Sequence, residues 1–113
     1  MNCTPDLDSI VRELRRPEIE KVILFGSHAI GTAHPDSDID LMVVTTHDTI
    51  PQSFRERMDL FNLVYEYLKK IAMNTPIDLI VYSKKMFQEL IDSQNMFSKE
   101  IMHKGIVLYE KFN

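Results

Sequence analysis

Two aspartates stand at the start of an apolar run, where a buried strand does not normally carry charged side chains. The run is DIDLMVV, residues 38–44. Side chains alternate across a strand, so Asp38 and Asp40 would point to one face with their Cα atoms about 6.5–7 Å apart. Two carboxylates at this spacing repel each other, and both stay ionised only if a cation lies between them. The pair therefore predicts a cation site at the entrance of a strand.

A third acid, Asp78, has a similar position near the start of the later apolar run IDLIVYS, residues 77–83. If the two strands are neighbours, Asp38, Asp40 and Asp78 converge into one cluster. Oxygen ligands of this kind suit Mg²⁺ or Mn²⁺ and not zinc. A simpler alternative remains, in which the first two acids are turn residues and Asp78 is an unrelated surface charge.

A glycine and a serine end the first strand-like run, IEKVILF at residues 19–25. Gly26 lacks a Cβ, so the backbone can approach a ligand there. Ser27 offers a hydroxyl and a helix N-terminal N–H to an anion. Taken alone, the pair is most simply an ordinary turn with a serine cap. A phosphate-binding turn after one strand and a metal cluster on the next is, however, the combination that a nucleoside triphosphate requires.

The apolar spacing predicts an alternating order of helices and strands. The predicted elements are a helix over 6–16, a strand over 19–25, a short helix or turn over 27–33, a strand over 38–44, a helix over 53–72, a strand over 77–83, helices over 84–91 and 96–103, and a closing strand over 106–109. Ser53 and Glu56 are spaced as a capping box for the long helix. Its predicted buried stripe is Phe54, Met58, Phe61, Val64 or Tyr65, Leu68 and Ile71. We expect one α/β or α+β domain over residues 1–113, with helices packed on a small mixed sheet.

The composition narrows the class of protein. The net charge of −4 argues against a basic nucleic-acid-binding surface. Cys3 is the one cysteine, which fits a reducing cytoplasm. The chain opens with no signal-peptide pattern, and no apolar run reaches the roughly 18 residues that span a bilayer. We expect a soluble cytoplasmic protein that binds neither membrane nor nucleic acid directly.

The spacing of these residues resembles the signature of a known superfamily. Gly26-Ser27, ten residues and then Asp38-Ile39-Asp40 are similar to the G-S-x(10)-D-x-D pattern of the polymerase-beta-like nucleotidyltransferases. Asp78 matches the third acid, which the superfamily carries on a later strand. The short chain and its ending KGIVLYEK resemble the minimal nucleotidyltransferase (MNT) group. Many members of this group act as antitoxins that pair with HEPN-domain toxins.

The resemblance implies a role for each of these residues. Asp38 and Asp40 would bridge two Mg²⁺ ions, with Mn²⁺ as the other candidate. Asp78 would complete the shell of the first ion and help to take a proton from the acceptor. Gly26 and Ser27 would hold the β- and γ-phosphates of ATP. The implied reaction is transfer of AMP to a hydroxyl, with a tyrosine of a HEPN-type toxin in a hetero-oligomer as the acceptor.

One residue departs from the family pattern. Members often carry a basic residue just before the second glycine of the signature, where this chain has Ile30. The triphosphate would then bind weakly or be held by another group. His28 and His34 are the nearest candidates, although a loop histidine is more often solvated. An antitoxin that acts by complex formation alone, with a vestigial site, therefore stays open. A transferase for a small, aminoglycoside-like molecule also stays open, because the superfamily that the chain resembles contains such enzymes.

Overall fold

The structure is a computed structural model that describes residues 7–34 and 36–111. Its elements in chain order are α1 (Leu7–Leu14), β1 (Ile19–Phe25), α2 (Ser27–Ile30), β2 (Ile39–Thr45), α3 (Phe54–Ala72), β3 (Ile77–Ser83), α4 (Lys84–Ser93), α5 (Met96–Lys104) and β4 (Ile106–Glu110). The predicted order is confirmed, and the bounds of β1 and β3 agree with the sequence. β2 begins one residue later than predicted, so Asp38 precedes the strand. The predicted start of the first helix and Cys3 lie outside the described residues.

The strands form one mixed sheet in the order β3-β2-β1-β4. β1 runs antiparallel to both β2 and β4, whereas β2 and β3 are parallel and joined through α3. This arrangement confirms the predicted fold class of a small mixed sheet flanked by helices. Because β1 runs opposite to β2 and β3, the end of β1 and the starts of β2 and β3 meet at the same edge of the sheet.

Helices cover both faces of the sheet, and each face has its own apolar cluster. α1 and α3 pack on one face, over a buried group that includes Val22, Leu41 and Val43. α5 places Ile101 on the other face with Ile23 and Met42, and α4 contributes the half-buried Phe87 and Leu90. Strands that are buried on both sides need continuous apolar runs, which explains why β1 and β2 are so hydrophobic.

Side-chain caps fix the starts of the helices. Ser53 accepts a hydrogen bond from the backbone N–H of Glu56 at 3.1 Å, as the capping box predicted. In the return bond, Oε1 of Glu56 accepts from the backbone N–H of Gln52, one residue earlier than in the usual box. Ser83 and Asn95 cap α4 and α5 in the same way. No helix within the described ranges is long and apolar enough to cross a membrane.

The predicted buried stripe of α3 is only half correct. Val64 and Leu68 are buried, but Phe54 is 77% exposed and Met58 is 37% exposed. The first turns of α3 lie beside the edge strand β3, and a groove of about 260 Å³ separates Phe54 and Met58 from Leu79 and its neighbours. No strand beyond β3 is present among the described residues to cover these side chains. Helical periodicity therefore identified an apolar face of which only the second half reaches the core.

Candidate active site

The candidate site lies at the edge of the sheet where β1 ends and β2 and β3 begin. Asp40, the second residue of β2, is paired with Phe25 of β1 on one side and with Asp78 of β3 on the other. Paired positions of neighbouring strands carry their side chains on the same face. The parallel register therefore brings together two of the three predicted acids.

Asp40 and Asp78 are paired across the two parallel strands, close enough for their carboxyl groups to interact, and the pKa of Asp40 is raised. Burial raises the pKa of Asp40 above its ordinary value of 3.8, and the negative charges of Asp78 and Asp38 raise it further. The hydrogen bond with Asp78 acts in the same direction, while the nearby His28 opposes the shift in pKa. Two carboxyl groups this close hold a proton between them or require a cation.

Asp38 is less closely held than the other two acids. It is exposed and lies one residue before β2, and its charge contributes to the raised pKa of Asp40. Within residues 7–34 and 36–111, no three acidic, histidine or cysteine side chains are already arranged as a metal-binding group. The described side chains thus form a close pair, Asp40 and Asp78, with Asp38 beside it.

Gly26 forms the wall of the site opposite Asp78. It has φ 71° and ψ −155°, a conformation that side-chain-bearing residues rarely adopt. A Cβ placed on Gly26 would stand 2.1 Å from Oδ2 of Asp40. The turn after β1 and the acid on β2 therefore touch. The sequence indicated both features but gave no sign of this contact.

Ser27 begins the single helical turn α2, which ends at Gly31 in a left-handed conformation. Gly31 and Thr32 both donate their backbone N–H groups to the carbonyl oxygen of Ser27. The carbonyl oxygen of Gly26 accepts bonds from the next turn, so the start of α2 is fixed against the end of β1. Ile30, which replaces the basic residue of the family, is 51% exposed on this turn.

A network of hydrogen bonds organises the loop that leads to Asp38, and the sequence did not reveal it. The backbone N–H of His34 donates to Oγ of Ser37 at 3.0 Å, and the N–H of Ser37 donates back to the carbonyl of His34 at 2.8 Å. Nε2 of His28 lies 3.1 Å from the carbonyl oxygen of Ser37. His28, His34 and Ser37 follow no helical or strand periodicity and no motif spacing, so the sequence could not predict the network.

The donor set of the site fits a hard divalent cation. The three acids present only carboxylate oxygens, which are the ligands that Mg²⁺ and Mn²⁺ prefer. A cation beside Asp40 and Asp78 would also remove the repulsion that raises the pKa of Asp40. The residues that are present are therefore compatible with the metal chemistry of the fold family.

A mixed sheet with a Gly-Ser turn after one strand and acids at the starts of the next two is the arrangement that the sequence predicted for a nucleotidyltransferase. The family model for "Polymerase beta, Nucleotidyltransferase" matches residues 8–112. The chain belongs to this family and is a nucleotidyltransferase.

Two curated relatives come from Methanocaldococcus jannaschii. The protein named "Putative protein adenylyltransferase MJ0604" is 31% identical over 96 residues, which cover 83% of this chain and 82% of the relative. The protein named "Putative protein adenylyltransferase MJ1379" is 37% identical over 79 residues, which cover 64% of this chain and 73% of the relative.

Solved structures share the fold of this chain. A toxin–antitoxin crystal structure with AMP-PNP superimposes with a TM-score of 0.59 at 23% identity, and the match covers 94% of this chain and 74% of that one. A mutant of the MntA–HpeT toxin–antitoxin gives a TM-score of 0.55 at 19% identity, with coverage of 98% and 75%. The structure described as "a putative nucleotidyltransferase from Sulfolobus solfataricus" gives a TM-score of 0.54 at 19% identity, with coverage of 93% and 86%.

Proposed function

We propose that this protein transfers AMP from ATP to a hydroxyl group of a protein partner and releases pyrophosphate. The observation that carries the proposal is the contact of Asp40 with Asp78 on one side and with the Gly26 turn on the other. An acid pair beside a glycine turn can hold cations and a polyphosphate next to each other. The names of the two curated relatives support adenylyl transfer to protein.

Each site residue has a role in this proposal. Asp38, Asp40 and Asp78 hold Mg²⁺, and Gly26 and Ser27 hold the β- and γ-phosphates through their backbone and hydroxyl groups. The bound cations would supply charge neutralisation for the triphosphate and a lowered pKa for the acceptor hydroxyl. A side chain on Gly26 would displace the carboxylate of Asp40, because nothing larger than hydrogen fits between them.

The chemical step balances without any further reactant. The acceptor oxygen forms a bond to the α-phosphorus of ATP, and the bond from that phosphorus to the bridging oxygen of the β-phosphate breaks. Asp78, which is exposed at the start of β3, accepts the proton of the acceptor hydroxyl. The products are the adenylylated acceptor and pyrophosphate.

We propose a HEPN-type toxin as the partner, with a tyrosine hydroxyl as the acceptor and inhibition of the toxin as the result. Structures that share the fold come from toxin–antitoxin pairs, which supports a role as the antitoxin of a hetero-oligomer. The described residues form a sheet and the helices that cover it. A macromolecular acceptor would present its hydroxyl to the site from its own folded surface. The single cysteine favours the cytoplasm as the compartment.

The test is transfer of labelled AMP from ATP to the co-purified partner in the presence of Mg²⁺. Asp40→Asn is expected to abolish labelling, because it removes one carboxylate of the central pair. Asp48→Asn is the matched control, since Asp48 is an exposed loop aspartate that follows the opposite end of β2. Wild-type protein that leaves the mass of its partner unchanged would overturn the proposal.

The exposed Ile30 favours a second candidate, an antitoxin that acts by complex formation alone. Without the basic residue of the family, the turn offers one charge fewer to a triphosphate. The Asp38→Asn, Asp40→Asn double variant distinguishes the two candidates in cells that express the toxin. Protection equal to that of the wild type supports complex formation, whereas loss of protection supports catalysis. Release of pyrophosphate with an aminoglycoside-like molecule alone would instead indicate a small-molecule transferase.

A further inference from the structure

We propose that His28 is a positioning residue that holds the metal-ligand loop against the phosphate-binding turn. The inference rests on the proposed function and adds to it a residue that the signature of the family does not contain. His28 lies on α2, just after Gly26 and Ser27, and its ring reaches the carbonyl oxygen of Ser37, the residue before Asp38. One side chain thus joins the two segments that the reaction must keep together.

The direction of this hydrogen bond follows from its acceptor. The carbonyl oxygen of Ser37 has no proton to give, so Nε2 of His28 must donate. Both the neutral Nε2–H tautomer and the imidazolium ion meet this requirement. The contact therefore persists whichever of these two forms is present.

Asp38 depends on such a contact because the sheet does not hold it directly. The pairing of β2 with β1 reaches only as far as Asp40, and its pairing with β3 begins at Ile39. Ile39 is further held by donating its N–H to the carbonyl of Pro76 at 3.0 Å. Upstream of Asp38, the bonds of Ser37 to His28 and His34 fix the approach of the chain. Loss of the His28 bond would leave the segment before Asp38 attached through the bonds between Ser37 and His34, without its link to α2.

The direction of the His28 hydrogen bond favours a positioning role for this residue over direct binding of phosphate. A phosphate-binding histidine would direct its donor towards the ligand, but Nε2 of His28 is directed to a backbone carbonyl. His28 is half-buried between α2 and the loop, whereas His34 is exposed. We therefore infer that His28 acts on the reaction through the placement of Asp38.

Three substitutions test the inference. His28→Gln keeps an N–H donor at nearly the reach of Nε2, and His28→Ala removes the donor. His103→Ala, on the exposed face of α5, is the control for the loss of a histidine elsewhere. The first readout is hydrogen exchange of the His34 and Ser37 amides by NMR, without nucleotide. We expect faster exchange in His28→Ala and wild-type exchange in His28→Gln and His103→Ala.

The second readout is Mn²⁺ affinity together with the KM for ATP. Residues that orient metal ligands typically change metal affinity by roughly 10- to 100-fold when they are removed. We expect a loss of this size in His28→Ala and recovery in His28→Gln, with a smaller change in KM for ATP. Unchanged amide exchange in His28→Ala, or a His28→Gln variant as impaired as His28→Ala, would overturn the proposal. If the wild type transfers no AMP, the proposed function fails, but amide exchange still decides the role of His28.

Discussion

Oδ2 of Asp40 occupies the space that a side chain on Gly26 would enter, with only 2.1 Å between that oxygen and an ideal Cβ. This contact predicts that Gly26→Ala loses both stability and activity. With φ 71° and ψ −155°, Gly26 has a backbone conformation that strains alanine by about 1–3 kcal/mol, and the clash displaces the carboxylate. Urea unfolding and the AMP-transfer assay measure the two effects.

Gly31 provides the control for this prediction. It also has a positive φ, of 81°, but a Cβ there would meet nothing within 4 Å. Because Gly31 has ψ 15° and lies in the left-handed helical region, Gly31→Ala should lose only about 1–2 kcal/mol of stability and retain most of the activity. Equal losses of activity in the two variants would show that backbone strain, and not the contact with Asp40, is what matters.

The raised pKa of Asp40 predicts a pH-dependent stability of the metal-free protein. Between 3.8 and the raised value, the folded state binds more protons than the unfolded chain, so stability falls as pH rises through this window. The loss persists at neutral pH. Asp40→Asn removes this titration and should therefore raise the Tm at pH 7 in EDTA, with a gap that closes near pH 3. A gap of equal size at both pH values would contradict the assignment.

The hydrogen bond from Tyr67 to Glu18 joins α3 to the segment before β1. This bond raises the pKa of Tyr67 above its ordinary value of 10.0, with burial and the charge of Glu18 adding to the shift. The hydrogen bond therefore stabilises the folded state fully below pH 10, and this stabilisation is lost as the pH rises through the higher pKa that Tyr67 has in the folded state. Tyr67→Phe should lower the free energy of unfolding at pH 7 by about 1 kcal/mol. Tyr65→Phe is the comparison variant. An equally large loss in its free energy of unfolding would show that the effect does not come from the hydrogen bond to Glu18.

The two halves of α3 should respond differently to substitution. Leu68 is 1% exposed and packs in the core beneath α3, so Leu68→Ala should cost about 2–5 kcal/mol in urea unfolding. Phe54 is 77% exposed, so Phe54→Ser should change stability by no more than about 0.5 kcal/mol. A large loss of stability in Phe54→Ser would mean that Phe54 makes a contact that the described residues do not show.

Ile30 allows a test of the missing charge on the turn that we propose to bind phosphate. Ile30→Arg adds a cation on the exposed side of α2, and an exposed ion pair contributes up to about 1 kcal/mol. The KM for ATP should then fall by roughly two- to fivefold. Ile30→Gln, which is polar but uncharged, should leave the KM close to that of the wild type. An unchanged KM in Ile30→Arg would mean that the triphosphate does not pass near this turn.

The sequence predicted the strands well because of where they lie. β1 and β2 are covered on both faces, so each appears as an uninterrupted apolar run with clear ends. The approach of Asp40 to Asp78 could be predicted only on the condition that their strands are neighbours, and the parallel register meets that condition. The adjacency itself depends on α3 crossing over the sheet, which no local pattern encodes.

Other features could not be predicted because they depend on contacts between segments. Phe54 and Met58 fit a helical stripe, yet periodicity does not show where the sheet beneath a helix ends. The bond between His28 and Ser37 joins residues nine positions apart whose types favour many other arrangements. The contact of Gly26 with Asp40 was likewise hidden, although each residue alone had been selected as functional.

The parallel pairing of β2 with β3 has a consequence for a chain that is still being made. Gly26, Asp38 and Asp40 can come together as soon as the β1–β2 hairpin forms, but Asp78 follows only after the whole of α3 has been synthesised. Non-local parallel pairings of this kind form more slowly than hairpins. If Asp78 has the role proposed for it, a nascent chain on the ribosome stays inactive until β3 has emerged and joined the sheet.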